Sequence, residues 1–337
     1  MTGDPGRRAP FAYRLHGYRL ISDTDLGEVA PRDDEPEVPV AAEITVVRGE
    51  DRVNPEDDAP DGEVIARLRD EQRNTYYTFA RSDRELTLRF HGALDVVCDR
   101  GLNTAMVHLH PGFDPDIVGV VLPGTLMATR LIMDGRLVLH ASALETETGV
   151  IAFLGKPGMG KSTLAGLGLV AGYRLITDDV LRADLGQDVV RVWPGAREVR
   201  LRESAVSVAG LAPGNSRGTA DGRLALGDQA VRTTVGPGHQ HLPLRACVVP
   251  YPRRDRDTIA VSRLGAFEAL TQLMGFPRVT GWCHEETMAA QFQALGDLCE
   301  RVPVFAADLP WGPPFDPGTI PTLFELIESC LAADPTR

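Results

Sequence analysis

The segment Gly155-Lys156-Pro157-Gly158-Met159-Gly160-Lys161-Ser162 is a complete GxxxxGK[ST] phosphate-binding loop. It constrains the fold because such a loop works only between a buried strand and a helix. Its glycines let backbone N–H groups turn inward around phosphates, and the helix offers its positive N-terminal end. The flanks supply both elements. Residues 149–154 (GVIAFL) are an apolar run rich in β-formers, which predicts a buried strand. Residues 164–169 place apolar side chains at helical spacing, although Gly166 and Gly168 weaken that pattern. Lysine and arginine together number 35, and lysine supplies only two of them, Lys156 and Lys161, both in this loop. A chain that uses arginine elsewhere keeps lysine where a compact, flexible charge must reach phosphate oxygens. Lys161 is expected to reach the β/γ-phosphates, and Ser162 to hold Mg²⁺ through its hydroxyl. Gly155, Lys156, Pro157, Gly158, Met159, Gly160, Lys161, Ser162 and Thr163 form the expected nucleotide site, with ATP and Mg²⁺ as cofactors. Lys156 reads either as a solvated loop residue or as a further contact to nucleotide or acceptor.

The length of 337 residues allows one large or two medium domains. A net charge of −12 argues against nonspecific binding to nucleic acid or to an anionic membrane surface. In this reading no apolar run reaches the length of a membrane span, and residues 1–11 lack the apolar core of a signal peptide. Five cysteines, widely spaced and without a CxxC pair, predict neither a disulfide framework nor a zinc site, and they fit a reducing cytoplasm.

Upstream of the loop, residues 11–22 and 41–48 read as strands separated by a Pro- and acid-rich loop. Short alternating runs at 75–81, 85–90, 94–98 and 106–110 complete a β-rich module over residues 1–130. Residues 114–133 carry helical periodicity broken at Pro123-Gly124, which predicts a helix pair or a broken helix. The second unit, 131–337, begins with a strand over 136–144 that turns into the loop strand. Strands at 173–177, 180–184, 189–193, 244–250 and 303–307 follow, with helices at 203–209, 264–274, 285–300 and 319–333. Residues 210–241, rich in Gly, Pro, Ser and Thr, read as a long loop able to act as a lid.

Three features surround the loop. Asp178-Asp179 ends a predicted strand sixteen residues after Ser162. Phosphoryl transfer to a hydroxyl needs one carboxylate near the metal and one to take the hydroxyl proton, so the pair can divide these roles. His140, mid-strand beside the loop strand, would lie near the phosphates. Ser142, two residues on, shares its strand face and is expected only to pack or bond locally.

The run LHASAL, a turn, and then IAFLGKPGMGKSTLAGLGLVAGYRLITDDV resembles the catalytic core of the HPr kinase/phosphorylase superfamily, whose core is related to phosphoenolpyruvate carboxykinase. The strong match covers about 137–182, and a looser one most of 137–332. The resemblance implies an α/β fold, a phosphate-loop core with a mixed sheet preceded by the β-rich module. It also implies an ATP-dependent kinase acting on a hydroxyl, most plainly a serine of a protein or peptide acceptor, in a possible homo-oligomer. Asp179, with His140 beside it, would then be the catalytic carboxylate, and Lys161 would act on the phosphates. Ser162, Asp178 and, on a loose alignment, Glu198 would be metal-linked, with Arg200 as a possible further match. Pro157 replaces the serine usual in true HPr kinases, and the family's glycine-rich signature after the acidic metal residue is not recognisable. The acceptor is therefore not specified. A small-molecule acceptor and a non-catalytic ATP-binding protein are the alternatives. No lysine outside the loop exists to serve a carboxykinase reaction.

Overall fold

The computed structural model describes residues 10–27, 33, 39–55, 58–69, 72–201, 216–218, 224–227, 241–312 and 314–333. The fold is mixed α/β with mixed parallel and antiparallel sheets.

The first sheet holds β1 (Phe11–Leu15), β2 (Tyr18–Ser22), β3 (Glu43–Arg48), β4 (Glu63–Arg69), β5 (Thr75–Arg81), β6 (Glu85–Phe90), β7 (Leu94–Asp99) and β8 (Thr104–Leu109). Their order is β1-β2-β3-β8-β7-β6-β5-β4, with β3 parallel to β2 and β8 and the remaining pairs antiparallel. The single strand expected over 11–22 is a hairpin, because His16 and Gly17 both adopt positive φ and reverse the chain. The strand β4 was not anticipated, since it follows directly on an acidic, Pro-rich stretch.

Residues 115–133 form one helical run rather than a pair. Pro123-Gly124 sits in a π-helical segment, Leu122–Leu126, which absorbs the proline without a break. By length and composition this run could cross a membrane, which corrects the sequence expectation, but 67% of it is buried in the protein. It packs into the core of the β-rich module together with Val138, Val180 and Val279. The helix that holds residue 130, where the two units were expected to meet, therefore belongs to that first core.

The second sheet contains β9 (Leu137–Leu139), β10 (Ala141–Thr146), β11 (Gly149–Leu154), β12 (Arg174–Thr177), β13 (Leu181–Leu185) and β14 (Val190–Val192). A small sheet of β15 (Glu198–Leu201), β16 (Ser216–Gly218) and β17 (Leu224–Gly227) stands apart. Strands β18 (Leu242–Arg253), β19 (Ala260–Arg263) and β20 (Val304–Pro310) complete the second sheet, and β18 lies parallel to both β11 and β20. The strand expected over 136–144 is split: β9 pairs with β13, whereas β10 pairs with β11 and β12. His140 lies at this break and not mid-strand. Within the expected loop 210–241, β16 and β17 are strands. Apart from His241, the rest of that segment, with its lid role, and the helix expected at 203–209 lie outside the described residues.

Helices Lys161–Val170, Ala266–Leu273, Glu285–Arg301 and Thr319–Ala332 cover the second sheet. Gly168 in the first has a packing reason. A Cβ on Gly168 would meet Leu144 Cδ1 at 2.1 Å, so the helix lies against β10 only because that position is bare.

Candidate active site

All six residues of β11 are buried, and the strand delivers the chain to the phosphate loop. Gly158 and Gly160 have φ of 90° and 86°, conformations that side-chain-bearing residues rarely adopt. Gly160 sits at the N-cap of the helix Lys161–Val170 and supplies no side-chain cap. The positive end of that helix thus faces the loop. Lys161 is only 6% exposed and curls back over the loop, donating from Nζ to Gly155 O at 2.7 Å and to Lys156 O at 3.4 Å. Met159 braces the turn: its backbone N–H donates to Lys156 O, and its Sδ accepts from the Lys156 N–H. Pro157 and Gly158 are exposed, and Thr163 is half-buried in the first helical turn. Lys156 is exposed too, but its Cε lies 4.0 Å from where a Cβ on Gly275 would stand, so it leans toward the segment after the helix Ala266–Leu273. Trp311 lies against Gly160, its ring 2.2 Å from the position of an added Cβ.

The aspartate pair faces two ways. Thr177 Oγ1 donates to Val180 O at 2.7 Å and closes the turn after β12, while Asp179 takes φ of 86°. A left-handed conformation at a non-glycine residue is strained, and such strain concentrates at functional sites. Asp178, 7% exposed, accepts at Oδ1 from Ser162 Oγ at 3.1 Å and also from the buried Ser142 Oγ. Asp179 points the other way: its Oδ1 lies 3.5 Å from His140 Nε2, and its Oδ2 accepts from Arg278 Nη2 at 2.6 Å. The structure therefore brings Lys161, Ser162, Asp178, Asp179 and His140 together. Glu198 is buried at the head of β15, a strand that packs on the helix Lys161–Val170.

Three participants escaped sequence reasoning, and a fourth was named without its partner. Ser142, expected to pack or bond locally, donates to Asp178, 36 positions away. Arg278 follows Pro277, whose bridge to Leu139 seats it beside His140, and nothing in its local sequence marks it. Gly124 looked like a helix breaker. In fact its bare Cα lets the π segment approach the ion pair, since a Cβ would stand 3.1 Å from Arg278 Nη2 and 3.4 Å from Asp179 Oδ2. His16, in the first hairpin turn, is fully buried, and its ring lies in the same crevice as Thr177 Oγ1 against Gly195. Burial, reinforced by Arg182, lowers its pKa to about 3, so the ring is neutral. A hydrogen bond with the Trp193 backbone opposes that shift only in part.

Among the described residues no group of three His, Cys, Asp or Glu side chains could enclose a metal. The Ser162 hydroxyl and Asp178 carboxylate do fit Mg²⁺, which typically takes one or two protein oxygens and completes its shell with phosphate and water.

No protein-family model matches the sequence, and no curated protein sequence matches it. Among solved structures, the HPr(Ser) kinase/phosphatase from Coxiella burnetii aligns with 58% of this chain and 95% of its own, at 10% identity and a TM-score of 0.29. A TM-score that low does not establish a shared fold.

Proposed function

We propose that this chain is an ATP-dependent kinase that transfers the γ-phosphoryl group to a hydroxyl, that of a serine in a protein or peptide, on a phosphate-loop core of the HPr kinase type. The observation that carries the reading is the divided aspartate pair, with Asp178 on the loop serine and Asp179 turned toward His140 and Arg278. The loop N–H groups and Lys161 bind the triphosphate, and Lys161 exchanges its carbonyl partners for phosphate oxygens. Mg²⁺, when bound at Ser162 and Asp178, neutralises charge on the phosphates. Asp179 accepts the proton of the incoming serine hydroxyl, a role worth about 10²–10⁴ in rate. Arg278 fixes the direction of that carboxylate, and His140 flanks its other oxygen.

The test is to incubate the purified chain with Mg-ATP and serine-containing peptides or proteins and to read mass shifts. Phosphorylated serine that disappears in Lys161→Ala is the expected result. Transfer to metabolites alone would replace the serine reading with a small-molecule kinase. ATP binding without any phosphorylated product would make the chain a regulatory nucleotide binder.

A further inference from the structure

An open cleft of about 480 Å³ lies between β9, the end of the helical run at Met133, and the helices Ala266–Leu273 and Glu285–Arg301. That volume is within the range of small-ligand sites. Its buried floor includes Leu139, Leu273 and Leu295. On its walls Met274, Met288 and Phe292 are each about half exposed. Single exposed apolar side chains are ordinary, but three around one concave surface mark a binding site. Methionine also suits a surface that must fit varied side chains.

The cleft has a fixed polarity. Arg278 is the one charged residue among those that line it, and its guanidinium is committed to Asp179. Gln291 is occupied as well, accepting from the Val138 N–H and donating to Arg136 O. Because Leu139 precedes His140 and bridges to Pro277, the cleft ends at the candidate catalytic carboxylate.

We infer that this cleft binds an uncharged, apolar stretch of the peptide acceptor adjoining its target serine. The inference rests on the kinase reading for the identity of the occupant. The peptide's apolar side chains fill the floor, and the serine hydroxyl is presented to Asp179.

Fluorescein-labelled peptides with one central serine test it: one with leucines before the serine, one with leucines after it, and one with glutamines on both sides. Anisotropy with the full chain and Mg-ADP reads binding, and mass spectrometry with Mg-ATP reads transfer. One leucine peptide should bind at least about tenfold tighter than the glutamine peptide. A double variant, Met288→Glu with Phe292→Glu, should erase that preference while leaving Mg-ATP affinity unchanged. Equal affinity for all three peptides, or a preference that survives the double variant, overturns the inference. So does concentration-dependent dimerisation that the same variant abolishes, because a second copy would then occupy the cleft. A leucine peptide that binds selectively but is never phosphorylated leaves the cleft standing and sinks the kinase reading. Equal phosphorylation of all three peptides does the reverse.

Discussion

Arg278 Nη2 donates to Asp179 Oδ2 at 2.6 Å, joining residues 99 positions apart in sequence. The pair sits against Gly124 of the π-helical segment and leaves Asp179 Oδ1 facing His140. A fork-shaped guanidinium fixes a carboxylate's direction more firmly than a single ammonium. Arg278→Lys should therefore lower kcat roughly tenfold, with little change in KM for ATP. Steady-state kinetics decide this, and a pure rise in KM for ATP would place Arg278 on the nucleotide instead.

The two aspartates should separate in their effects. Asp179→Asn should leave Mg-ATP affinity intact and cut turnover by about 10²–10⁴. Asp178→Asn, which alters the carboxylate bonded to Ser162, should instead weaken Mg-ATP binding. Calorimetric titration beside a phosphotransfer assay distinguishes the two, and identical profiles would refute the division of roles.

Ser142→Ala should destabilise the protein. It removes a buried hydroxyl that donates to the nearly buried Asp178 and leaves only part of that carboxylate satisfied. The expected loss is about 1–3 kcal/mol in urea unfolding. A loss below about 0.3 kcal/mol would mean that the other partners of Asp178 suffice.

Gly160→Ala faces two penalties, φ of 86° and a clash with the Trp311 ring at 2.2 Å. Destabilisation of about 1–3 kcal/mol and weaker ATP binding are expected. In a Trp311→Ala background the clash disappears while the φ penalty remains, so the cost of Gly160→Ala should shrink without vanishing. Thermal melts of the four proteins measure it.

His16 predicts a pH dependence. Its folded pKa of about 3 lies below the ordinary histidine value of 6.5, chiefly because of burial. Above the unfolded value both states hold a neutral ring and nothing is gained or lost. As pH falls from 6.5 toward 3, only the unfolded chain takes up the proton, so stability drops by up to about 1.4 kcal/mol per pH unit. His16→Asn, a residue that also tolerates positive φ, should flatten that slope. Denaturant titrations at pH 5.5 and 4.5 compare the two, and parallel slopes would show that His16 titrates normally.

Much of the candidate site was legible because it is local. The loop from Gly155 to Thr163, with its strand and helix, is a contiguous pattern whose chemistry follows from spacing. Asp178-Asp179 was visible as a carboxylate pair at the end of an apolar strand. His140 was found for an imperfect reason, since it lies between β9 and β10 and not within one strand. No glycine, proline or turn signal interrupts residues 137–146, and only the change of pairing partners ends one strand and begins the next.

The sequence alone determined the GxxxxGK[ST] loop between a strand and a helix, and the β-rich character of the first hundred residues. These depend on short-range rules: glycine conformations and apolar periodicity. Tertiary structure decided which way each aspartate points, and it brought Ser142, Arg278, Gly124 and His16 to the same place. It also left the apolar cleft open beside them. Those outcomes depend on chain segments far apart in sequence packing to within a few ångströms, and no local pattern carries that information.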